Sequence, residues 1–512
     1  MAEMNLEQRQ YLTARFEEFV AVVHPSGDDQ PVRKPYQWQI RLMLYVAGHG
    51  HWPQGIGAPT ASGKTCVIDI HVFLNAMAGL VSAEGSAESQ KLAGVPLQRI
   101  PRRLALTVNR RSLVDDQFDE ASALQKRIQA ENNESDKLDI YRKGLDLRSA
   151  INDGLQPESP SPRMIAVELR GGVSPDREWR YYPQTCAVIC ATPDMFGSRL
   201  LFRGYGTSRT MRSMEAGLLA YDTVLIVDEA HLSRQLLKTA RQVARIENMA
   251  KKPLVRQIEN NPIRRDVQWV VSSASENVPD SESDQEILMP GKETKTLLLG
   301  GAFNDSDGSS RGEGHQDHVA CRAQALGTLV GLDSTMVEDL RIAGEYHDEG
   351  KKDERFQKLL RNDRKTEDER PRAKSRFFLS CSRERELRNM YELHGWRHEQ
   401  RSVAEFQRAC ENHERLKTIS EADKQLIETL ICTSHGHGRA TFRHETAYLL
   451  PQEKFDFLNV SPELNDISKR LFDLGEWETV IDHINQRYGF WGISYLEALL
   501  RAADITCSKE GL

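Results

Sequence analysis

Paired cysteines and long hydrophobic runs are both missing from this 512-residue sequence. Its eight cysteines are scattered, and none belongs to a C-x-x-C pair. This argues against a zinc ribbon and favours reduced thiols in a cytoplasmic protein. No apolar run approaches the roughly 18–20 residues that a membrane helix needs. The first residues also lack an apolar signal core, since they read MAEMNLEQRQYLTARFEEF, so we expect neither export nor a membrane partner.

An excess of positive charge is missing as well. The sequence has 68 Lys and Arg residues against 75 Asp and Glu residues, which gives a net charge of −7. Binding to nucleic acid therefore has to come from local basic patches. A hydrophobic fraction of 39% and a charged fraction of 28% are ordinary for a globular protein and exclude a mostly disordered chain. At about 100–200 residues per domain, the length allows two to four domains.

A polar stretch divides the sequence into two halves of different character. Residues 276–314 are rich in Asp, Glu, Ser and Gly, which predicts a linker. In residues 1–275, continuous apolar runs alternate with helical patterns, as expected for parallel strands buried on both faces. The predicted strands are Leu104–Val108, Ala187–Ala191, Val224–Val227 and Val267–Val271, and Thr65–Leu80 is a predicted helix. Residues 315–512 show helical patterns, for example in Val337–His347, Lys424–Thr433 and Tyr495–Ala503. We therefore predict an α/β domain followed by an all-α domain.

A candidate phosphate-binding loop lies in the first half. The segment APTASGKT, Ala58–Thr65, fits the phosphate-loop pattern, with Ala58 in place of the first glycine. In such a loop, backbone N–H groups bind phosphate, the Lys64 ammonium reaches the β and γ oxygens, and the Thr65 hydroxyl binds Mg²⁺. Further along, DEAH follows an apolar strand, where Asp228 can hold Mg²⁺ and Glu229 can position the attacking water. Taken alone, the first segment also fits a loop without a ligand, and the second also fits an acidic helix N-terminus.

Together these motifs resemble the motor of a superfamily-two helicase of the DEAH type. Other elements follow in that family's order: Gln39, which resembles the glutamine that reads adenine; Val108–Val114 and Thr192–Asp194, which resemble strand-end DNA contacts; and Ser273–Ser275, in place of Ser-Ala-Thr. The resemblance implies a RecA-like (P-loop) lobe that binds ATP with Mg²⁺, with Glu229 in catalysis. The implied nucleotide-binding residues are Gln39, Ala58, Gly63, Lys64, Thr65, Asp228 and His231.

The second lobe of such a motor has no counterpart in this sequence. A lobe needs roughly 150 residues to bury a core. Only about 40 residues, most of them polar, separate Ser275 from His315. No Gln-x-x-Gly-Arg-x-x-Arg element is found either. We therefore expect the second lobe, and the arginine finger that it donates, to be absent.

The second half carries histidines and aspartates on helical segments. His347 and Asp348 are adjacent, and His347 shares a helix face with Leu340 and Ala343. Asp504 lies four residues after Leu500 on an apolar face, where a carboxylate needs a cation or a hydrogen-bond partner. Four histidines and two aspartates can bind one or two transition metals, which activate water for attack on phosphate. The candidate ligands are His315, His347, Asp348, His398, His435 and Asp504.

A purely structural explanation stays open at each of these positions. A single histidine is often a surface residue or a satisfied core residue, and this interpretation is favoured for His318, His394 and His437. Asp504 also fits a helix cap or an ion pair with Arg501.

The spacing of these ligands resembles the HD phosphohydrolase superfamily. With the motor, most of the chain resembles the CRISPR-associated helicase–nuclease of type I systems, in the subtype whose HD domain comes last. The strings that support this subtype are LRGG at Leu169–Gly172, GSRLLFRGYG at Gly197–Gly206, DERFQ at Asp353–Gln357 and WRHE at Trp396–Glu399. The resemblance implies a nuclease that cuts single-stranded DNA displaced by an RNA-guided surveillance complex, with Lys351 as a contact to the scissile phosphate. One departure is Ser434, since the family often has a second histidine before the position of His435.

These patterns favour one function and leave two alternatives. The favoured function is a metal-dependent DNA nuclease of CRISPR interference that uses Mn, Co, Ni or Fe and carries one ATP-binding lobe. The first alternative is an ATP-driven helicase–nuclease whose second lobe comes from another chain. The second is an inactive remnant that only binds DNA or its complex. Metal content and DNA-stimulated ATPase activity distinguish the three.

Overall fold

The computed structural model of the protein describes most of the chain. It covers residues 4–25, 33–53, 55–56, 63–83, 85–130, 137–155, 161–173, 176–229, 232–252, 254–258, 261–264, 268–272, 314–363, 370–375, 380–393, 395–439 and 461–512. The predictions for Ala58, His231, Ser273–Ser275 and residues 276–313 of the linker lie outside these ranges.

A parallel sheet forms the centre of the first half. The strands of this half are β1 (Gly55–Ile56), β2 (Arg103–Thr107), β3 (Met164–Leu169), β4 (Cys186–Ala191), β5 (Thr223–Val227), β6 (Val255–Ile258), β7 (Asn261–Arg264) and β8 (Gln268–Ser272). Six of them form the sheet in the order β1-β8-β5-β2-β4-β3, and all its pairs are parallel. The other two, β6 and β7, pair antiparallel. The predicted α/β character of this half is therefore confirmed.

The four predicted strands correspond to β2, β4, β5 and β8, with ends that differ by one residue or so. Strand β3 was not predicted. It lies at the edge of the sheet, and Glu168 interrupts its apolar run. Charged side chains are common on edge strands, because they discourage pairing with a strand of another chain.

Helices cover both faces of this sheet. They are α1 (Leu6–Val23), α2 (Gln37–His49), α3 (Val67–Ser82), α4 (Ala87–Lys91), α5 (Arg111–Gln129), α6 (Asp139–Ser149), α7 (Pro193–Leu200), α8 (Arg212–Ala220) and α9 (Arg234–Glu247). Successive strand residues point to opposite faces. Leu104 accordingly belongs to the core on the side of α3, α5 and α6, whereas Ala105 belongs to the core on the side of α7, α8 and α9.

The predicted helix Thr65–Leu80 is found as α3, which follows a 3₁₀ turn at Lys64–Cys66. Among the described residues, the stretch Lys64–Ser82 is the one helical segment that is long and apolar enough to cross a membrane by length and composition. Of its most apolar 18-residue window, 83% is buried inside the protein.

The second half is helical, as predicted. Its helices are α10 (His315–Leu329), α11 (Ser334–Tyr346), α12 (Glu354–Leu360), α13 (Cys381–Met390), α14 (His398–Asn412), α15 (Glu414–Lys417), α16 (Glu421–Thr433), α17 (Pro462–Ser468), α18 (Glu476–Tyr488) and α19 (Phe490–Glu510). No strand occurs in the part of residues 314–512 that the structure describes.

Helix α19 joins this helical half to the α/β half. At Gly217 of α8 the two backbones approach so closely that a Cβ atom there would lie 2.4 Å from the Ser494 carbonyl carbon. The buried Glu247 carboxylate, at the end of α9, accepts hydrogen bonds from the backbone N–H groups of Trp491 (3.1 Å) and Gly492 (3.0 Å). These groups lie in the first turn of α19, where a negative charge also stabilises the helix dipole. One buried hydrophobic cluster therefore runs from α8 into α19.

Gly217→Ala should destabilise the protein, because the added methyl group meets backbone atoms of α19 that cannot move without separating the two helices. We expect the free energy of unfolding to fall by about 1–3 kcal/mol or more. Thermal unfolding followed by calorimetry measures this.

Gly197→Ala is the matched control. Gly197 also lies in a helix, α7, but its Cβ would have only ordinary contact with Leu236 at 3.4 Å. Alanine has the better helix propensity, so this change should be neutral or stabilising by up to about 1 kcal/mol. Equal stability of the two variants would contradict the close approach of α8 and α19.

Candidate metal centre

Helix α11 places His347 and Asp348 in the interior of the helical half. The helix begins after Asp333, whose carboxylate accepts a hydrogen bond from the backbone N–H of Met336 (3.1 Å). Near its end, Gly344 lets α10 pack closely, since a Cβ there would lie 2.7 Å from the Ala320 Cα. His347 and Asp348 follow directly, and their exposed fractions are 0% and 1%.

A first triad of candidate ligands consists of His315, His347 and Asp504, whose ligand atoms all lie within 4.8 Å of one another. His315 is the first residue of α10, and its Nε2 lies 3.1 Å from Asp504 Oδ1 on α19. The other ring nitrogen of His315, Nδ1, lies 2.7 Å from the Leu512 carbonyl oxygen. In His347, Nδ1 lies 2.8 Å from the Gly344 carbonyl oxygen. In both rings a backbone carbonyl oxygen contacts Nδ1, and Nε2 faces the triad. This is the orientation expected of a histidine that binds metal through Nε2.

A second triad consists of Asp348, His398 and His435. Asp348 Oδ1 lies 3.5 Å from His398 Nε2 and 3.8 Å from His435 Nε2. These distances are longer than the ~2.9 Å of an ordinary hydrogen bond. His398 begins α14 and His435 follows α16, so three separate segments contribute to this triad.

The two triads meet at the adjacent residues His347 and Asp348, where His347 Nε2 lies 3.5 Å from Asp348 Oδ2. Four buried atoms of this region have no hydrogen-bond partner within the described part of the chain: Nε2 of His347, His398 and His435, and Oδ1 of Asp348. A buried polar atom without a partner costs about 1–3 kcal/mol. Imidazole and carboxylate atoms that converge in this way fit one or two divalent metal ions.

The protonation states of four of the six ligands also suit metal binding, whereas at His435 the neighbouring Asp348 carboxylate outweighs burial and raises the pKa. Burial lowers the pKa of His347 and of His398, which keeps both imidazoles neutral. Burial by itself raises the pKa of Asp348, but the Lys351 ammonium and the His347 ring outweigh it and hold that pKa well below its usual value. Asp504 behaves alike: burial by itself raises its pKa, but contact with the His315 ring and the nearby His347 ring outweigh this and lower it. Neutral imidazoles and ionised carboxylates are the forms that bind metal.

Lys351 lies beside these triads. Its ammonium donates to Asp348 Oδ2 at 2.5 Å. Gln357 of α12 donates to the backbone oxygens of Lys351 (2.6 Å) and Arg372 (2.9 Å), and so holds residues 370–375 next to the site. The exposed Lys374 in that segment interacts electrostatically with Asp504, Asp348 and Lys351. Lys374 was not predicted, because it lies in a highly charged stretch that looks like an ordinary solvated surface.

Ser434 and Arg501 are neighbours in sequence of triad ligands. Ser434 is buried before His435, and its hydroxyl oxygen has no hydrogen-bond partner among the residues described. Serine is a weaker donor than imidazole for transition metals. Arg501, the alternative partner of Asp504, has its guanidinium 3.7 Å from Glu497 and donates to the Thr210 carbonyl oxygen.

The predicted nucleotide-binding residues that the structure describes lie around the carboxyl ends of the parallel strands. Lys64 Nζ lies 3.9 Å from Asp228 Oδ1. Gln39 donates to the Gly63 carbonyl oxygen at 2.9 Å, and Thr65 lies in the 3₁₀ turn with Lys64. Glu229 follows Asp228 with a left-handed φ of 52°. A lysine and a carboxylate thus meet at the edge of the sheet where ligands of α/β proteins bind.

A third cluster of possible ligands, His24, Asp69 and Glu120, lies in the α/β half. Arg33 lies 3.2 Å from His24 Nδ1, and a guanidinium can only donate. His24 Nδ1 therefore accepts, and Nε2 carries the proton that it donates to Asp69 (2.9 Å). No lone pair remains on this ring, so the cluster is a hydrogen-bonded network and not a metal site.

The geometry of the two triads is the basis for any functional assignment. Comparisons with protein-family models, curated proteins and solved structures find no match. Function must therefore be inferred from the chemistry of the chain's own residues.

Changing His347 and Asp348 together to Ala removes one ligand from each triad. We expect the full chain, loaded with Mn²⁺ and dialysed, to lose all of its bound metal. His398→Ala alone affects only the second triad and should leave one ion per chain if each triad holds one. Metal content measured by mass spectrometry gives both numbers.

His437→Ala is the matched control, since His437 is close in sequence to His435 but belongs to neither triad. It should keep the wild-type metal content. Metal that persists in the double variant would show that the triads are not the binding site.

Proposed function

We propose that this chain is a metal-dependent nuclease that acts on single-stranded DNA in CRISPR type I interference. The observation that carries the proposal is the convergence of six histidines and aspartates into two triads that meet at His347 and Asp348. On this proposal the helical half is an HD phosphohydrolase domain, and the α/β half is a RecA-like lobe.

The chemistry follows from the ligands and their surroundings. Divalent ions, when bound, supply an activated water and neutralise charge on a phosphodiester. His315, His347 and Asp504 would hold one ion, and Asp348, His398 and His435 the other. The Lys351 ammonium, which donates to Asp348 of the second triad, would bind a non-bridging phosphate oxygen, and the exposed Lys374 would add a second positive charge. Because four of the six ligands are imidazoles, Mn²⁺, Co²⁺, Ni²⁺ or Fe²⁺ should serve better than Mg²⁺.

The choice of DNA as the substrate rests on the α/β half. Its motif order is that of a helicase motor, and the first residues after β2 and β4 lie at the same sheet edge as Lys64 and Asp228. A motor lobe fused to a phosphodiesterase points to a nucleic-acid substrate. The partner on this proposal is an RNA-guided surveillance complex that displaces one DNA strand.

The proposed activity can be tested on the full chain with end-labelled single-stranded DNA. With Mn²⁺ or Ni²⁺ and without ATP, we expect cleavage products on a denaturing gel, and weaker cleavage with Mg²⁺. The double change of His347 and Asp348 to Ala should reduce cleavage below detection, because neither triad keeps all three of its ligands. Undiminished cleavage in that variant would mean that the nuclease assignment is wrong.

A separate prediction concerns ATP. Lys64, Thr65, Asp228 and the loop amides are local contacts, so one lobe should bind ATP with Mg²⁺. Turnover should be low, because the arginine finger of a second lobe typically contributes about 10³–10⁵ in rate. Equilibrium binding of a fluorescent ATP analogue and a phosphate-release assay measure these two properties.

Lys64→Ala should remove ATP binding and leave metal-dependent DNA cleavage at the wild-type rate, which separates the two sites. Robust duplex unwinding by the chain alone, lost in Lys64→Ala, would contradict the single-lobe interpretation and favour a complete helicase.

A further inference from the structure

The loop of residues 201–211, between α7 and α8, borders the candidate metal centre. A Cβ atom on Gly436, the residue after His435, would lie 2.1 Å from the Thr210 carbonyl oxygen, so the two backbones are in contact. Arg501, one helical turn before Asp504, donates to the same Thr210 oxygen. The loop thus contacts segments from both triads, although it belongs to the α/β half.

The backbone of this loop is held in place by a buried ionic network. Glu215 of α8, with 0% exposure, lies 2.6 Å from the Arg180 guanidinium and 3.3 Å from that of Arg199. Thr207 donates to Glu215 at 2.7 Å, and Arg199 donates to the Tyr205 carbonyl oxygen at 2.9 Å. Buried charges that are paired and hydrogen-bonded in this way fix the conformation around them.

Three side chains of the same loop, those of Arg203, Tyr205 and Arg209, are exposed. Tyr205 is 62% exposed. Arg203 and Arg209 are exposed on either side of it, and neither forms an ion pair with any residue that the structure describes. The Tyr205 ring therefore has no role in packing. Proteins bind single-stranded nucleic acid with exposed aromatic rings that stack on bases and with nearby cations that attract phosphate.

We propose that the loop of residues 201–211 binds single-stranded DNA next to the metal centre, with a base stacked on Tyr205 and phosphates on Arg203 and Arg209. This inference rests on the proposed nuclease function and adds the place where the substrate is held. Thr210 is five positions after Tyr205 in the sequence, so their Cα atoms lie at most ~18 Å apart. The stacked base is therefore only a few nucleotides from the phosphate that is cut.

Stacking on one open ring requires an unpaired base, which selects single strands over duplexes. It is also tolerant of sequence, because every base has a π face. The two arginines add attraction to phosphate that falls as salt concentration rises. The loop should therefore favour unpaired DNA of any sequence.

Binding can be measured without cleavage, by fluorescence anisotropy of labelled oligothymidylate on the full chain in EDTA. Tyr205→Ala should weaken affinity at least about fivefold, the low end for a lost base–aromatic stack. Tyr205→Phe keeps the ring and should bind like the wild type. The double variant Arg203→Gln and Arg209→Gln should reduce the slope of log affinity against log salt by about 1.4, or 0.7 for each lost phosphate contact.

Lys143→Gln is the matched charge control. Lys143 is an exposed lysine on α6, which packs against the opposite face of the sheet, and this change should alter neither affinity nor salt slope. Unchanged affinity in Tyr205→Ala and an unchanged slope in the arginine variant would overturn the proposal.

Hydrolysis of bis(4-nitrophenyl) phosphate separates this inference from the proposed function. The small diester reaches the metals without the loop, so Tyr205→Ala should raise KM for DNA and leave turnover of the diester as in the wild type. An equal loss on both substrates would mean that Tyr205 only supports the fold. If the wild type hydrolyses neither substrate, the nuclease function fails, while the anisotropy measurement still decides whether the loop binds DNA.

Discussion

The packing of helix α19 against the α/β half is the contact on which the rest of the candidate site depends. Glu247 of α9 caps the first turn of this helix, and Gly217 of α8 allows its middle to approach at backbone distance. About three turns after the contact between Gly217 and Ser494, the same helix carries Asp504 into the first triad. An α-helix is stiff over this length, so the anchoring at its start sets the position of Asp504. A metal ligand of the helical half is thus positioned by residues of the α/β half.

Burial determines the chemistry of this site. Asp348 is almost completely buried, and a carboxylate in such a place is costly unless cations or donors surround it. The Lys351 ammonium supplies one positive charge next to Asp348. The imidazole nitrogens that converge on the same carboxylate have no hydrogen-bond partner in the described part of the chain and could bind a metal cation. The same burial keeps His347 and His398 neutral, so their lone pairs are free for a metal. If the same histidine and aspartate side chains were exposed, water would solvate them, and they would not favour a metal ion in this way.

Part of this arrangement could be predicted from sequence because it depends on local order. Continuous apolar runs predicted four strands of the sheet, and helical periodicity predicted the helical half. The six candidate ligands were named as histidines and aspartates on helical segments, with an apolar face argued for His347 and Asp504, and the structure groups them into the two triads. Strand β3 could not be predicted in this way, because Glu168 interrupts its apolar run at the edge of the sheet. Lys374 could not be predicted either, because a lysine in a highly charged stretch gives no indication of which distant residues it lies near.

By itself, the sequence determined which segments are strands or helices and which residue types are available for metal and phosphate, because periodicity and side-chain chemistry are local properties. Only the tertiary structure decided how the six ligands divide into two triads, that Asp504 pairs with His315 and not with Arg501, and that the loop around Tyr205 lies beside His435. It also removed His24, Asp69 and Glu120 from the metal candidates through the position of Arg33. These outcomes depend on contacts between residues tens to hundreds of positions apart, and such contacts form only when helices and sheet pack into one core.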